Sequence, residues 1–261
     1  MSQPESVLVQ QQAIREEYKN QAPSWGSFDI DDDLRWAVAQ IPLSPSDSVL
    51  DVAAGTGLFG RALAHAVSRV TAVDITPEMI DQGRKRAMED GIRNLRWELG
   101  SAEALPFADE SFDLVISRYA IHHFAEPETV LREMSRVSRS GGIVVNVDMV
   151  SDENATIAAY QNSVERMMDS THTRMLSPSQ LIQLTTEAGL GMLGYLSREV
   201  NVRFDEWQPH VSQESEAYRS ARSALEAELS GGMTTGMQPF LEKGDLHFIH
   251  VWGVMIARKG I

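Results

Sequence analysis

Apolar residues follow two rhythms along the first 150 residues of the chain. Short continuous apolar runs are typical of strands buried on both faces, and apolar residues three and four positions apart are typical of amphipathic helices. The pattern predicts strands at 48–54, 69–75, 94–101, 112–120 and 143–150, with helices at 57–68, 77–91 and 126–142 between them. Strands that alternate with helices in this way predict a parallel sheet with right-handed crossovers and helices on both faces.

Two further helices are predicted before the first strand. The segment 4–20 carries apolar residues one turn apart, and the segment 31–41 begins with acidic residues, which favour the positive end of a helix dipole. The segment 20–29 separates them because it is rich in helix-breaking residues. We expect residues 1–46 to form a helical cap.

Short local signals mark two helix ends. Thr76 and Pro77 suit the N-cap and the first position of the helix 77–91. Gly141 and Gly142 suit the end of the helix 126–142.

The rhythm changes after residue 150, where helices dominate. Helices are predicted at 153–170, at 177–190 with its end at Gly189, and at 214–232, and strands at 192–204 and 246–259. The two late strands are expected to complete the sheet. The chain thus divides into a core at 47–150 and a helical lid with the last two strands at 151–261.

Composition narrows the classes of function. The 261 residues carry a net charge of −14, which disfavours a nucleic-acid partner because such proteins carry a basic face. The chain has no cysteine, which excludes disulfides, thiolate metal sites and a cysteine nucleophile. No apolar run approaches the roughly 20 residues that span a bilayer, and the polar N-terminus resembles no targeting peptide. We therefore expect a cytoplasmic protein.

The turn after the first strand is the candidate ligand site. Gly55 and Gly57 permit positive φ angles and close backbone approach, and the N–H groups of the following helix face the same space. In open α/β sheets, ligands bind at the carboxyl ends of the strands where the strand order reverses. With Gly60, the turn also matches the G-x-G-x-x-G pattern of dinucleotide sites, so two ligand classes stay open.

Two acidic residues bear on this choice. Asp74 ends the second strand, where a carboxylate accepts hydrogen bonds from ribose hydroxyls. Since Thr76 and Pro77 serve as the helix cap, we assign Asp74 to the ribose. Asp51 lies before the glycine turn, where its charge would repel a pyrophosphate and suit an ammonium group.

Several stretches resemble the class I S-adenosylmethionine-dependent methyltransferases. The first and second motifs of that family are similar to VLDVAAGTG and VTAVDITPEMI, and its third and fourth to GSAEALPFADESFDLVISRYAIHHFAEPETVLREMSRVSRSGG. The resemblance covers residues 47–150 and is closest to the branch that includes the ubiquinone and menaquinone C-methyltransferases. It implies a Rossmann-like, seven-stranded, mostly parallel sheet.

The resemblance also implies a set of residues that bind S-adenosylmethionine. Asp51 and the backbone of the glycine turn would hold the methionine moiety, Asp74 the ribose and the others the adenine and the pocket floor. The implied residues of this set are Asp51, Ala53, Gly55, Gly57, Asp74, Ile75, Met79, Ala102, Glu103 and Arg118. We add Tyr18 to the cofactor-binding residues on a separate ground, because its N-terminal helix has no partner in the predicted sheet.

Two positions depart from the family pattern. Ala53 replaces a common glycine, which is tolerable where that position keeps a negative φ angle. Ser101 stands where many members carry an acid, so contacts to the adenine amino group are less defined there, and Glu103 substitutes for that acid only where its side chain does not point to solvent.

Candidate acceptor residues are less sharply marked. We select His123 and His172 as catalytic candidates because a histidine near neutral pKa is a natural base, and we assign His122 to packing. Arg174 is the third candidate, because with His172 it makes a polar pair flanked by hydroxyl residues in the predicted lid. Tyr18 is a candidate for closing over the donor, whereas Arg15 and Lys19 are expected to be solvated. The expected acceptor pocket is lined by Trp207, His210, Trp252, Met149, Met167, Met168 and Met175.

The sequence thus predicts methyl transfer to a small-molecule acceptor, by O- or C-methylation of an aromatic or polyketide-like metabolite. A homodimer is left open, and no metal site is expected. Two alternatives also stay open. One is an NAD-dependent oxidoreductase, and the other is a repurposed cofactor-binding protein that catalyses a cyclisation.

Overall fold

The computed structural model describes residues 3–25 and 32–260. Its helices are α1 Glu5–Trp25, α2 Asp32–Ala39, α3 Leu58–Ala64, α4 Pro77–Glu89, α5 Pro127–Val137, α6 Ala155–Met168, α7 Pro178–Glu187, α8 Phe204–Trp207 and α9 Glu216–Leu229. Its strands are β1 Ser48–Val52, β2 Arg69–Asp74, β3 Leu95–Leu99, β4 Phe112–Arg118, β5 Ser138–Met149, β6 Leu190–Arg203, β7 Phe240–Glu242 and β8 Asp245–Lys259. A 3₁₀ turn at Ile121–His123 follows β4.

The chain divides into two compact units. Unit one consists of Met1–Asp148, Ile182–Leu196 and Val254–Ile261, and unit two consists of Met149–Leu181 and Ser197–Gly253.

The sheet has the strand order β3-β2-β1-β4-β5-β8-β6, and β7 pairs with β8 off this path. The β1–β2, β2–β3, β1–β4 and β4–β5 pairs are parallel, and the short β7 is antiparallel to β8. The predicted Rossmann-like, mostly parallel fold is confirmed, with β7 as one strand beyond the expected seven. The order reverses between β1 and β4, so the turns after these two strands border the point where ligands bind in such sheets.

The core of unit one forms around the central strands. Every residue of β1 is buried, as expected for a strand covered on both faces. Leu114 and Ile116 of β4 pack in one cluster with Phe59 and Leu63 of α3. Burial of such side chains contributes roughly 1.5–3 kcal/mol each, so this cluster anchors the strands whose ends carry the candidate site.

Unit two has its own apolar cluster. Val164 and Met168 of α6 pack with Phe204, Tyr218 and Phe248, and Met167 and Trp207 lie partly buried against them. The two adjacent methionines therefore both contribute to packing.

Two predicted helix ends differ from the structure by five residues each. The helix 4–20 continues to Trp25, so it extends into the predicted break; residues 26–29 of that break and residue 31 of the next predicted helix lie outside the described residues. The helix predicted at 126–142 ends at Val137, and β5 begins at Ser138. The pairing of β4 with β5 is irregular between Phe112 and Leu114, and Gly141 has a φ angle of 76° there. The glycines thus serve a bulge in a strand, because pairing with β4 outweighs the local signal for a helix end.

One aromatic side chain explains two glycines. The Trp97 ring of β3 lies so close to Gly57 and Gly83 that a Cβ atom would stand 2.4 Å and 2.2 Å, respectively, from its Cη2 atom. Glycine at both positions therefore makes room for the indole ring between β3, α4 and the turn before α3.

We expect Gly83→Ala to destabilise the protein, although glycine-to-alanine changes inside helices ordinarily stabilise by about 1 kcal/mol. Overpacking against Trp97 should reverse that sign and cost roughly 1–3 kcal/mol in urea unfolding. Lys85→Ala, at an exposed position of the same helix, is the control and should stay within about 0.5 kcal/mol. Adding Trp97→Leu to Gly83→Ala should recover part of the loss, and a purely additive double variant would contradict the packing argument.

Candidate functional site

The turn between β1 and α3 has an unusual backbone. Ala53, Gly55 and Gly57 have φ angles of 53°, 56° and 67°. The expectation that Ala53 keeps a negative φ angle is therefore wrong. Its left-handed conformation costs about 1–2 kcal/mol for a residue with a Cβ atom, and strain of this kind persists only where the surrounding structure fixes it.

The glycines of this turn have different surroundings. A Cβ atom on Gly60 would lie 3.0 Å from Asp51 Oδ2, and the position of Gly57 is filled by Trp97 as described above. A Cβ atom on Gly55 would meet nothing within 4 Å. Packing therefore explains Gly57 and Gly60, whereas Gly55 borders open space that a ligand can enter.

The Asp74 carboxylate joins two turns of the site. Its Oδ2 accepts from the Gly55 N–H at 2.7 Å and its Oδ1 accepts from the Thr76 N–H at 2.8 Å. Thr76 and Pro77 occupy the predicted N-cap and first position of α4, although the Thr76 side chain makes no cap hydrogen bond. Burial raises the pKa of Asp74, and its backbone hydrogen bonds oppose that rise. Each oxygen has a second lone pair, so the carboxylate can still accept from a ligand.

Asp51 is a second buried carboxylate at the same end of the sheet. It is 1% exposed, and its Oδ2 accepts from the Gly60 N–H at 2.8 Å. Burial raises the pKa of Asp51 to about 7; the Gly60 hydrogen bond opposes the rise, the charge of Asp74 adds to it, and Arg118 opposes it. A cationic group brought next to Asp51 would favour its ionised form.

Arg118 ends β4 and Tyr119 follows it, next to the end of β1. The Arg118 Cζ lies 4.0 Å from the centre of the Tyr119 ring, a cation–π arrangement. Tyr119 has a φ angle of 52°, so strained residues follow both strands at the point where the order reverses. Strain at matched positions of adjacent strands is typical of functional sites.

One face of α1 is bonded to the ligand-side loops. Gln11 Nε2 donates to Ser101 Oγ at 3.0 Å and to Glu103 Oε2 at 3.2 Å, and Ser101 Oγ donates to Glu103 Oε2 at 2.6 Å. Glu103 therefore turns inward to Ser101 rather than to solvent, and its place in the cofactor-binding set stays a prediction. Arg15, expected to be solvated, donates to the Ile75 carbonyl at 3.2 Å from an exposed position.

Tyr18 lies on the same face of α1 and bonds to a residue beyond β4. Its hydroxyl is 2.9 Å from His123 Nε2, and the two rings meet edge to face. Gln10 Nε2 donates to the His123 carbonyl at 2.9 Å. The sequence interpretation missed Gln10 and Gln11; the available signal was the polar spacing of Gln11 and Tyr18, which places them two turns apart on one helix face.

His122 faces the interior. Its Nδ1 is 2.5 Å from Asp148 Oδ1, and both side chains are buried. This agrees with the assignment of His122 to packing. The sequence interpretation missed Asp148, because the two residues are 26 positions apart and no local motif contains both.

Three further residues of the predicted S-adenosylmethionine-binding set also lie in unit one. Met79 and Ala102 are buried, and Ile75 is partly exposed. Lys19 is exposed and lies 3.8 Å from Glu78.

The predicted catalytic residues of unit two are not brought together. His172 is buried with its Nε2 2.7 Å from Asn162 Oδ1, whereas Arg174 is exposed. The two side chains therefore form no polar pair, because the His172 imidazole is buried inside unit two. Of the residues expected to line the acceptor pocket, His210 is exposed and Met175 is buried.

Residues 3–25 and 32–260 contain neither a metal-binding cluster nor a membrane-spanning helix. No group of three or more His, Cys, Asp or Glu side chains there is arranged to hold a metal ion. None of the helices in this part of the chain has the length and apolar character needed to cross a membrane.

Comparison with known proteins identifies the family. The family described as "Methyltransferase domain" matches residues 50–146. The uncharacterized methyltransferase YcgJ of Bacillus subtilis is 33% identical over 61% of this chain and 63% of its own length. The uncharacterized protein YafE of Escherichia coli is 32% identical over 59% of this chain and 73% of its own length. The chain belongs to the class I S-adenosylmethionine-dependent methyltransferases.

The solved structures agree with this family. The crystal structure of Bacillus subtilis YcgJ superposes with a TM-score of 0.77 at 25% identity, covering 87% of this methyltransferase and 98% of the other chain. In sequence, however, this chain spans just under two thirds of the length of YcgJ.

We expect Asp51→Asn to change how the stability of this methyltransferase depends on pH. The folded protein holds the Asp51 proton up to about pH 7, whereas the unfolded chain releases it near 3.8, so the free energy of unfolding falls as pH rises between these values. In the wild type, the free energy of unfolding in urea should fall by roughly 3 kcal/mol between about pH 5 and pH 8, and the variant should not show this fall. Asp81→Asn, at an exposed position of α4, should keep the wild-type profile. Parallel profiles for wild type and Asp51→Asn would contradict a neutral Asp51.

Proposed function

We propose that this chain binds S-adenosylmethionine at the carboxyl ends of β1, β2 and β3 and transfers its methyl group to a small-molecule acceptor. The observation that carries the proposal is the open space beside Gly55, a residue whose N–H donates to the Asp74 carboxylate at 2.7 Å. Family membership supports the sulfonium ligand over the dinucleotide that the glycine pattern left open.

The residues present fit the polar part of such a donor. Asp74 holds its carboxylate against Gly55 and keeps lone pairs for ribose hydroxyls. Asp51 supplies a buried acidic group for the cationic methionine end, and the backbone of Ala53 and Gly57 would follow the same moiety. Arg118 would lie at the floor beside it.

The residues after β2 and β3 suit the adenine. Ile75 and Met79 would pack the ring, and Ala102 would meet its edge. Glu103, which is bonded to Ser101 and Gln11, would supply the acid that many family members carry two residues earlier, at the position of Ser101. Because Glu103 turns inward, the serine at position 101 no longer weakens the assignment of this loop to the adenine.

The bound sulfonium supplies a methyl group activated for in-line displacement, so the protein mainly positions the reactants and excludes water. An acceptor hydroxyl or carbon must also lose a proton. The Tyr18 hydroxyl and His123 Nε2 share a hydrogen bond next to the end of β4, and His123 can hold that proton. This pair supports O- or C-methylation of an aromatic or polyketide-like acceptor. It stays a prediction that His172, Arg174 and the region 151–261 bind the acceptor. The homodimer also stays a prediction.

We expect Asp74→Asn to weaken the binding of S-adenosylhomocysteine by about 1.5–3 kcal/mol, because the ribose loses a charged hydrogen-bond acceptor. Isothermal titration calorimetry measures the change directly. Asp81→Asn makes the same charge change on the exposed face of α4 and should bind as the wild type does. Equal affinity for Asp74→Asn and wild type would remove Asp74 from the ribose site.

Methyl transfer itself is tested with a donor that carries a deuterated methyl group. We expect mass spectrometry of a metabolite extract to show one labelled product, and Tyr18→Phe to slow its formation about 10- to 100-fold. Tyr160→Phe, on α6 of unit two, is the matched control. Donor binding without a labelled product in any extract would overturn methyl transfer and favour the cyclisation alternative.

A further inference from the structure

We propose that Asp148 is a positioning residue for methyl transfer, since its buried carboxylate fixes the 3₁₀ turn Ile121–His123 and thereby the His123 ring against Tyr18. This inference rests on the proposed function because it assigns a role in the same site. It adds a residue from β5 to a site otherwise built from α1 and the turns after β1 to β4.

The carboxylate binds the start of the turn from a neighbouring strand. Asp148 Oδ2 accepts from the Ile121 N–H at 2.7 Å and from the His122 N–H at 3.4 Å. Ala120, the residue at the N-cap of the turn, has no side chain that can accept from these groups. Because the first N–H groups of a helical turn need partners outside the turn, Asp148 supplies what the local sequence lacks.

The second oxygen of Asp148 fixes an imidazole ring. Asp148 Oδ1 lies 2.5 Å from His122 Nδ1, and the two side chains are 4% and 6% exposed, respectively. We assign the proton of this bond to Nδ1, because an ionised carboxylate only accepts hydrogen bonds. The contact therefore selects one protonation pattern of His122 as well as one ring orientation.

The turn passes this constraint to His123. The His123 N–H donates to the Ala120 carbonyl at 3.0 Å, and the His122 and His123 ring centres are 4.1 Å apart. On its other side, His123 is held by α1, through its carbonyl to Gln10 and through Nε2 to Tyr18. The turn is thus fixed from β5 and from α1, and His123 lies between the two anchors.

A carboxylate is a costly group for capping alone. A buried charge requires full compensation, whereas a neutral asparagine could accept from the same backbone N–H groups. Asparagine has a single side-chain oxygen. It therefore cannot bind the backbone N–H groups with one oxygen and accept from a protonated His122 Nδ1 with another, as aspartate does. A displacement of about 1 Å at a reacting group can slow a reaction about 100-fold, which makes the setting of His123 consequential.

The test compares wild type with Asp148→Asn by long-range proton–nitrogen NMR of protein labelled with ¹⁵N in its histidines. In the wild type we expect His122 protonated at Nδ1. In Asp148→Asn the amide NH₂ should donate to Nδ1, so His122 should change to the tautomer protonated at Nε2, and the ring signals of His123 should shift with it. Asp152→Asn, at an exposed position beyond β5, should leave both rings unchanged.

Two results would overturn the proposal. One is a wild-type His122 without a proton on Nδ1, a measurement that does not depend on the folding of any variant. The other is an Asp148→Asn protein in which His122 changes and His123 does not. For the acceptor found with the labelled donor, we expect Asp148→Asn to lower kcat about 10- to 100-fold at unchanged donor affinity; a change in KM alone would contradict the positioning role.

The NMR readout separates this inference from the proposed function. It needs no acceptor, so absence of a labelled product would overturn methyl transfer without changing the ring signals. Conversely, unchanged His123 signals in a variant that transfers methyl groups at the wild-type rate would remove Asp148 alone.

Discussion

The hydrogen bonds of the Asp74 carboxylate connect the parts of the candidate site. One oxygen binds the N–H of Gly55 in the turn after β1, and the other binds the N–H of Thr76 in the turn after β2. These two turns belong to adjacent parallel strands, so one side chain fixes the spacing of both. The left-handed Ala53 and the open position at Gly55 lie within the region so held. A ligand at this end of the sheet therefore meets a backbone whose shape is set before it arrives.

The same arrangement places two carboxylates close together in a buried region. The charge of Asp74 adds to the burial that raises the pKa of Asp51, and Arg118 offsets only part of that rise. Such a pair lowers the stability of the free protein at neutral pH, since ionising Asp51 is opposed in the folded state. A cationic ligand reverses this effect, because it stabilises the ionised form and binds the folded chain alone. Binding and stability are thus coupled through Asp51.

Local patterns predicted the framework of the site and missed its cross-connections. The apolar runs located β1, β2 and β4, and the glycines and Asp74 fell at their ends, because strand period and turn chemistry are local properties. Gln11 and Asp148 act on residues that are distant along the chain, so no short motif contains both partners. The end of α5 at Val137 was misread for a related reason: pairing with β4 begins at Ser138 and outweighs the glycines that follow.

The two anchors of the His123 turn differ in physical character, and this difference orders their roles. Asp148 and His122 are buried among sheet residues, where a hydrogen bond between them is shielded from water and strong. Tyr18 and Gln10 belong to α1, and the hydrogen bonds of this helix to the loops are made by side chains that are partly exposed. Contacts of the second kind open at a lower free energy than buried ones. The inner anchor therefore fixes His123 more firmly than the outer anchor, which contributes the Tyr18 hydroxyl to the site.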